Sequence, residues 1–292
     1  MFEIIFIGVG GGAPNKRGLP GILIRREGFE ILLDCGEGTQ NKMIEHSISF
    51  MKLNLIGISH LHGDHVLGLP GIIQTMAMYS RQQKLLLMGP TTLQDYLKSS
   101  SKHTYFKPGF ETEFIQSYED QNLTITTFRT CHTIESYGFL IKEKDKTKVD
   151  AERLKKEGIT DWRIIRKLKE GKRVEIDTKV FLPEDYLYVK KGLSIAYTGD
   201  TAPCDSVLNA IKGVDLLIHD STFLNEREAH DYGHSNCTDA AEIASKADVK
   251  RLALYHISGR YQTTEPLLKE AKKIFERTFL PEPLSYFILQ EE

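Results

Sequence analysis

The sequence of 292 residues has no uninterrupted apolar run of eighteen, so no membrane-spanning helix is expected. Cysteine is scarce, with only Cys35, Cys131, Cys204 and Cys237. No two of them form a C-x-x-C pair, which excludes the common thiolate metal knot and dithiol redox motif. They are expected to act as small, mostly buried apolar side chains, reduced in a reducing compartment. A strong charge of either sign is also missing. The net of −2 means the surface as a whole does not attract polyanions. The start, MFEIIFIGVGGG, lacks a basic stretch and reads at once as a strand. No signal peptide is expected, and a cytoplasmic location is the default. There is no internal repeat or low-complexity tract.

What is present is ordinary for a folded chain: 40% hydrophobic and 27% charged residues, enough for a sizeable core. Apolar, β-rich runs recur with turn residues after them. Strands are expected at 2–8, on both sides of Gly28, and at 53–59, 84–89, 123–130, 137–143, 193–199, 214–220 and 251–257. Helices are expected after Leu69, after a Thr91 or Thr92 cap, and over 202–212, 237–247 and 263–276. This order suggests an α/β (α+β) fold: sheets packed together, helices outside, one core.

The stretch SHLHGDH, 59–65, places three of the ten histidines beside an aspartate. These groups repel one another unless a cation coordinates them. Imidazole nitrogen and carboxylate oxygen suit zinc, and also manganese or iron. His60 and His62 leave a strand on one side, and Gly63 is expected to allow the sharp turn that returns Asp64 and His65. Other strand candidates also end in a potential ligand: His132, Asp200 and His256. A sheet can hold such residues rigidly around a shared cleft. Five histidines and two aspartates exceed one tetrahedral site. They suit two metals if Asp200 bridges, an arrangement used for in-line displacement at phosphorus.

The motif His60-Leu61-His62-Gly63-Asp64-His65, followed by His132, Asp200 and His256, resembles the metallo-β-lactamase superfamily signature. FIGVGGGAPNK, LLDCGEGTQ, SHLHGDHVLGLPG, TCHTIESYGF, AYTGDT and LLIHDSTF together resemble ribonuclease Z, in its short, archaeal form. The resemblance spans almost the whole chain. It implies an αββα sandwich and a zinc-dependent endoribonuclease that removes the 3′ trailer from precursor tRNA. It implies two zinc ions per chain: His60, His62 and His132 at one, Asp64, His65 and His256 at the other, with Asp200 between. Asp64 would also serve as general base, and Asp34 would orient ligands. Asp220 and His234 would protonate the leaving oxygen. Here Asp220 stands for the family's usual Glu, and Asn236 for its usual Thr. Lys16 and Arg17 resemble the family's basic loop near the cleavage site. A homodimer is implied as well.

From Lys142 to Arg173 there are thirteen Lys/Arg and seven Asp/Glu, a net of +6, leaving −8 on the rest. Two short helices are expected here, from an Asp150 cap to Gly158 and from a Thr160 cap to Gly171. On composition alone this is either a solvated helix pair or a phosphate contact. By resemblance, residues about 142–192 are an arm that clamps tRNA, inserted in a single domain spanning 1–292. The family's Gly-Pro-rich tip is absent, with GITDWRIIRKLKEG in its place. Trp162 is expected to pack between the two helices, the alternative being to stack on a base. Two other functions compete with the nuclease: a small-molecule phosphodiesterase or other hydrolase of the superfamily, and a tRNA-binding protein with a structural metal.

Overall fold

In the computed structural model, which describes residues 1–176, 179–224 and 227–291, FEIIFIG forms the strand Phe2–Gly8, with every residue buried except the half-buried Glu3. Continuous burial requires cover on both faces of the sheet. Two seven-stranded sheets provide it. The first runs in the order 285–289, 2–8, 21–26, 29–33, 55–57, 85–88 and 112–114. The second runs 278–279, 252–255, 216–220, 194–197, 137–143, 123–129 and 118–119. Aromatic rings fill the space between them. Phe6 of the first sheet lies 6.2 Å from Tyr255 and 6.4 Å from Phe279 of the second. Outside the first sheet, Met43, Leu69, Ile72 and Met76 of helices Thr39–Glu45 and Gly68–Met78 close a core with Ile5, Leu32 and Ile56. Outside the second, Val207, Ala240, Ala244 and Leu267 do the same with Ala196, Leu217 and Leu254. The layering is α, β, β, α, as expected.

Several local expectations need correction. The strand at 53–59 shrinks to Leu55–Gly57. Beyond it Ile58 still donates to Met88 O, while Ser59 O accepts from Tyr137 N of the other sheet, so the chain changes partner. The strand at 251–257 breaks at His256, whose φ is +61. Tyr255 ends one segment, and Ile257–Ser258 pairs with Gly10–Gly11 instead. The sharp turn expected at Gly63 takes the form of the one-turn helix Gly63–Val66, which carries Asp64 and His65. Thr92, one of the two residues expected there, occupies the N-cap position of helix Leu93–His103 without side-chain capping. Thr91 Oγ1 donates to Glu135.

The described chain divides into two compact units. The one above holds both sheets. The other comprises Gln121–Leu123 and Lys142–Gly192, the basic insertion. Within it, helix Ala151–Lys156 is capped by Asp150, as expected, and helix Trp162–Lys169 by Asp161 rather than Thr160. Asp161 Oδ1 accepts from Arg163 N at 2.9 Å, the negatively charged cap having won. Strands Lys146–Val149 and Leu187–Lys190 pair antiparallel. Leu154, Ile159, Leu168, Phe181 and Tyr186 form a small core belonging to this unit. Trp162 does not join it; the indole is 64% exposed, against the expected packing. Leu168 is fully buried in that core. Leu168→Ala is therefore expected to destabilise the insertion by about 2–5 kcal/mol, read as faster limited proteolysis within 142–192.

Candidate metal centre

Four segments distant in sequence bring their ligand-type side chains to one point. His60, His62, His132 and Asp200 present atoms that all lie within 4.8 Å of one another, and so do Asp64, His65 and His256. Asp200 lies between the groups. Its Oδ2 is 3.6 Å from His60 Nε2 and 3.3 Å from His65 Nε2, and its Oδ1 is 3.5 Å from His256 Nε2.

The outer nitrogen of each ring decides how the inner one can act. Asp34 Oδ2 accepts from His65 Nδ1 at 2.7 Å. Gly233 O accepts from His132 Nδ1 at 2.7 Å. Ser59 Oγ spends its proton on Asp34 Oδ2 at 2.8 Å, so it accepts from His60 Nδ1 at 3.0 Å. Thr222 Oγ1 spends its proton on Asp220 Oδ1 at 2.6 Å, so it accepts from His256 Nδ1 at 2.8 Å. In all four rings the Nδ1 proton is committed outward and Nε2 turns inward. Holding the ring by its second nitrogen is how proteins orient metal-binding imidazoles.

Inward, these nitrogens face one another. His62 Nδ1 is 3.1 Å from His60 Nε2 and 3.0 Å from His132 Nε2. His256 Nε2 is 3.2 Å from both His65 Nε2 and Asp64 Oδ2. These spacings look like hydrogen bonds, but most of the ring protons are already used elsewhere. They match the edge of a ligand tetrahedron, about 3.3 Å for metal–nitrogen bonds of about 2.0–2.1 Å. Asp200 Oδ1 is buried with no hydrogen-bond partner among the described residues. The donor set therefore fits a pair of divalent cations.

The electrostatics agree. Burial works against charge on His65, yet the Asp200 and Asp34 carboxylates hold its pKa well above the ordinary value. Burial, joined by neighbouring His65, pushes His60 well below. Burial also opposes ionisation of Asp200, but His256, His65 and His60 keep its carboxyl well below the usual range. Protons and metal cations compete for the same ring lone pairs.

Beside this cluster lies a carboxylate–imidazole pair. Asp220 Oδ2 accepts from His234 Nδ1 at 2.9 Å, so the shorter Asp reaches as the family's Glu would. Burial disfavours charge on His234, and Asp220 overcomes it, raising the pKa to about 9. Asn236 acts as the N-cap of helix Cys237–Lys246, in a full capping box with Asp239.

Lys16 and Arg17 are not drawn into the cluster. Lys16 is exposed, whereas Arg17 is buried and its Nη2 donates to Tyr261 O. Both border a polar cleft with Gln262, Thr263 and Thr264. The cysteines divide: Cys35 and Cys237 are buried, Cys204 is half-buried, and Cys131 is exposed, contrary to the expectation for that thiol.

Sequence reasoning missed several contributors. Tyr197 OH donates to Asp34 Oδ2 at 2.6 Å, and Gly12 N donates to Asp64 Oδ2 at 2.7 Å. Gly11 is passed closely by the His256 ring, and a Cβ there would sit 2.2 Å from the ring atoms. Thr222 gave the clearest signal, since it follows Asp220 by two residues.

The two sheets with outer helices and a metal-ligand cluster at their strand ends define a metallo-β-lactamase fold protein. Residues 2–163 match the model described as Anti-Pycsar protein Apyc1, and residues 186–257 that of the Beta-lactamase superfamily domain. The crystal structure of the metallo-β-lactamase fold protein YhfI from Bacillus subtilis superposes with a TM-score of 0.70 at 20% identity, covering 98% of each chain. Human tRNase Z, short form, superposes with a TM-score of 0.70 at 23% identity, covering 99% of this chain and all of its own. The curated protein Ribonuclease Z of Sulfurisphaera tokodaii is 65% identical over 100% of both chains. The chain belongs to the ribonuclease Z family.

Thr222→Val keeps the side-chain shape but leaves the His256 Nδ1 proton without its acceptor. We expect a loss of about 10–100-fold in divalent-metal affinity, measured by chelator competition, while Thr222→Ser stays close to wild type.

Proposed function

We propose that this protein is an endoribonuclease that removes the 3′ trailer from precursor tRNA with two divalent cations, zinc in the first instance and manganese or iron as alternatives. The observation that carries this reading is the full-length identity of 65% to a Ribonuclease Z. In this reading His60, His62 and His132 would hold one cation, Asp64, His65 and His256 would hold the other, and Asp200, which lies between the two groups, would serve as a ligand as well. Such cations supply Lewis acidity toward a phosphoryl oxygen and lower the pKa of a coordinated water.

The remaining work falls to the chain. Asp64, fixed by the Gly12 amide at 2.7 Å, orients the attacking water and takes its proton. Asp34 holds His65 through Nδ1 and is itself held by Ser59 and Tyr197. His234, gripped at Nδ1 by Asp220, carries its transferable proton on Nε2 and delivers it to the departing 3′ oxygen. The basic insertion supports a long polyanionic substrate, because a small ester needs no such element. Of the basic loop, the exposed Lys16 contacts substrate directly and the buried Arg17 shapes the loop from inside.

A cytoplasmic homodimer is the working form we propose. Met78, Tyr79 and Tyr105 expose 73%, 67% and 98% of their surfaces and are the side chains we propose a second copy covers. No helix among the described residues is long and apolar enough to cross a membrane.

The decisive assay uses a defined precursor tRNA with sequenced product ends, alongside bis(p-nitrophenyl) phosphate, with and without chelator. Chelator-sensitive cleavage at the trailer junction is expected. Turnover of the small ester alone would favour the small-molecule hydrolase, and tight tRNA binding with neither activity would favour the binding protein. Asp220→Asn is expected to slow single-turnover cleavage by about 10²–10⁴-fold with little effect on tRNA binding, and an unchanged rate would remove the proton-donor role.

A further inference from the structure

Trp162 is the only tryptophan in the chain and is 64% exposed. It begins helix Trp162–Lys169, whose apolar stripe is already complete without it. Leu168 is buried in the insertion's core, with Ile164 and Ile165 packed against that core. The indole therefore faces water on the other side of the helix, where residues at i+4 and i+7 share its face. Those residues are Arg166 and Lys169, both exposed, with Arg163 adjacent. The acidic partners here are weak competitors. Arg163 Nε lies 3.8 Å from Asp161, and Arg166 Nε lies 3.0 Å from Glu170, both at the surface where such pairs contribute little and exchange readily for a phosphate.

A flat, exposed π surface set in cationic side chains suits a ligand with a flat π surface and anionic groups a few ångströms away. An unpaired nucleotide has both, since bases stack on indole and phosphates pair with the neighbouring Arg and Lys. A base inside a duplex has its faces occupied and could offer only phosphates.

Resting on the function proposed above, we infer that Trp162 is a stacking platform for an unpaired base of the precursor tRNA, with Arg163, Arg166 and Lys169 holding the flanking phosphates. The occupant is RNA, favoured by the +6 charge of residues 142–173. An anionic membrane surface is the rival that the test must separate.

The lone indole is its own probe. Metal-loaded full-length protein is titrated with precursor tRNA, with a blunt RNA duplex of similar length, and with phosphatidylglycerol vesicles, following tryptophan fluorescence. Quenching by precursor tRNA is expected, with little change from the duplex. Trp162→Ala should raise KM for precursor tRNA by about ten- to a hundredfold with kcat moving less than threefold, and Trp162→Phe should recover most of the loss. Unchanged KM in Trp162→Ala, equal quenching by duplex and tRNA, or quenching by vesicles alone would each overturn the inference. Cleavage of precursor tRNA without a fluorescence change sinks the stacking and leaves the nuclease intact. Quenching by precursor tRNA that stays uncut does the reverse.

Discussion

The structure is organised around a convergence of side chains that would otherwise repel one another. Imidazole lone pairs and carboxylates from four separate parts of the chain point at one another across about 3 Å, at the distances of ligands around a metal. The surroundings are organised to impose this. Asp34 binds His65, Ser59 and Tyr197 together, so one buried carboxylate ties the first sheet's strand end to the second sheet. Thr222 does the same for His256 and Asp220. A divalent cation bound there would turn this accumulated repulsion into coordination.

Two of these residues carry backbone strain. Asp34 and His256 have φ of +56 and +61, in the left-handed region. Few residues other than glycine adopt it, and aspartate and histidine are among those found there more often than most. At His256 the turn breaks a strand and swings the ring past Gly11 toward Asp200. The close approach of the ring and the lack of a Cβ at Gly11 belong to one solution. Strain of this kind persists where the surroundings over-determine it, as they do here with Thr222 on one side of the ring and the ligand cluster on the other.

Much of this was legible in the sequence, and the exceptions have physical reasons. His60 through His65 lie within six residues, so their density alone indicated a metal. His132, Asp200 and His256 each follow an apolar run, and strand ends are where a sheet can aim side chains. Asp34, Asp220 and His234 needed the family resemblance, because a single carboxylate or imidazole has no local pattern. Tyr197 and Gly11 act through contacts 163 and 245 residues distant, with Asp34 and His256 respectively, beyond any periodicity. Trp162 was misjudged because size suggested burial, while the stripe of Ile164, Ile165 and Leu168 had already filled the helix's inner face. Asp161 displaced Thr160 as cap by one residue, within the usual uncertainty of helix ends.

The contact between His65 and His256 joins residues 191 apart. During synthesis, a ribosome-bound chain lacking residue 256 has the first members of the cluster but cannot close it. Full-affinity capture must wait for nearly the whole polypeptide, including the strand that delivers His256. Ligand capture then favours the finished topology by mass action over every partly assembled one. The nuclease is thus assembled late, after most of its own chain has emerged.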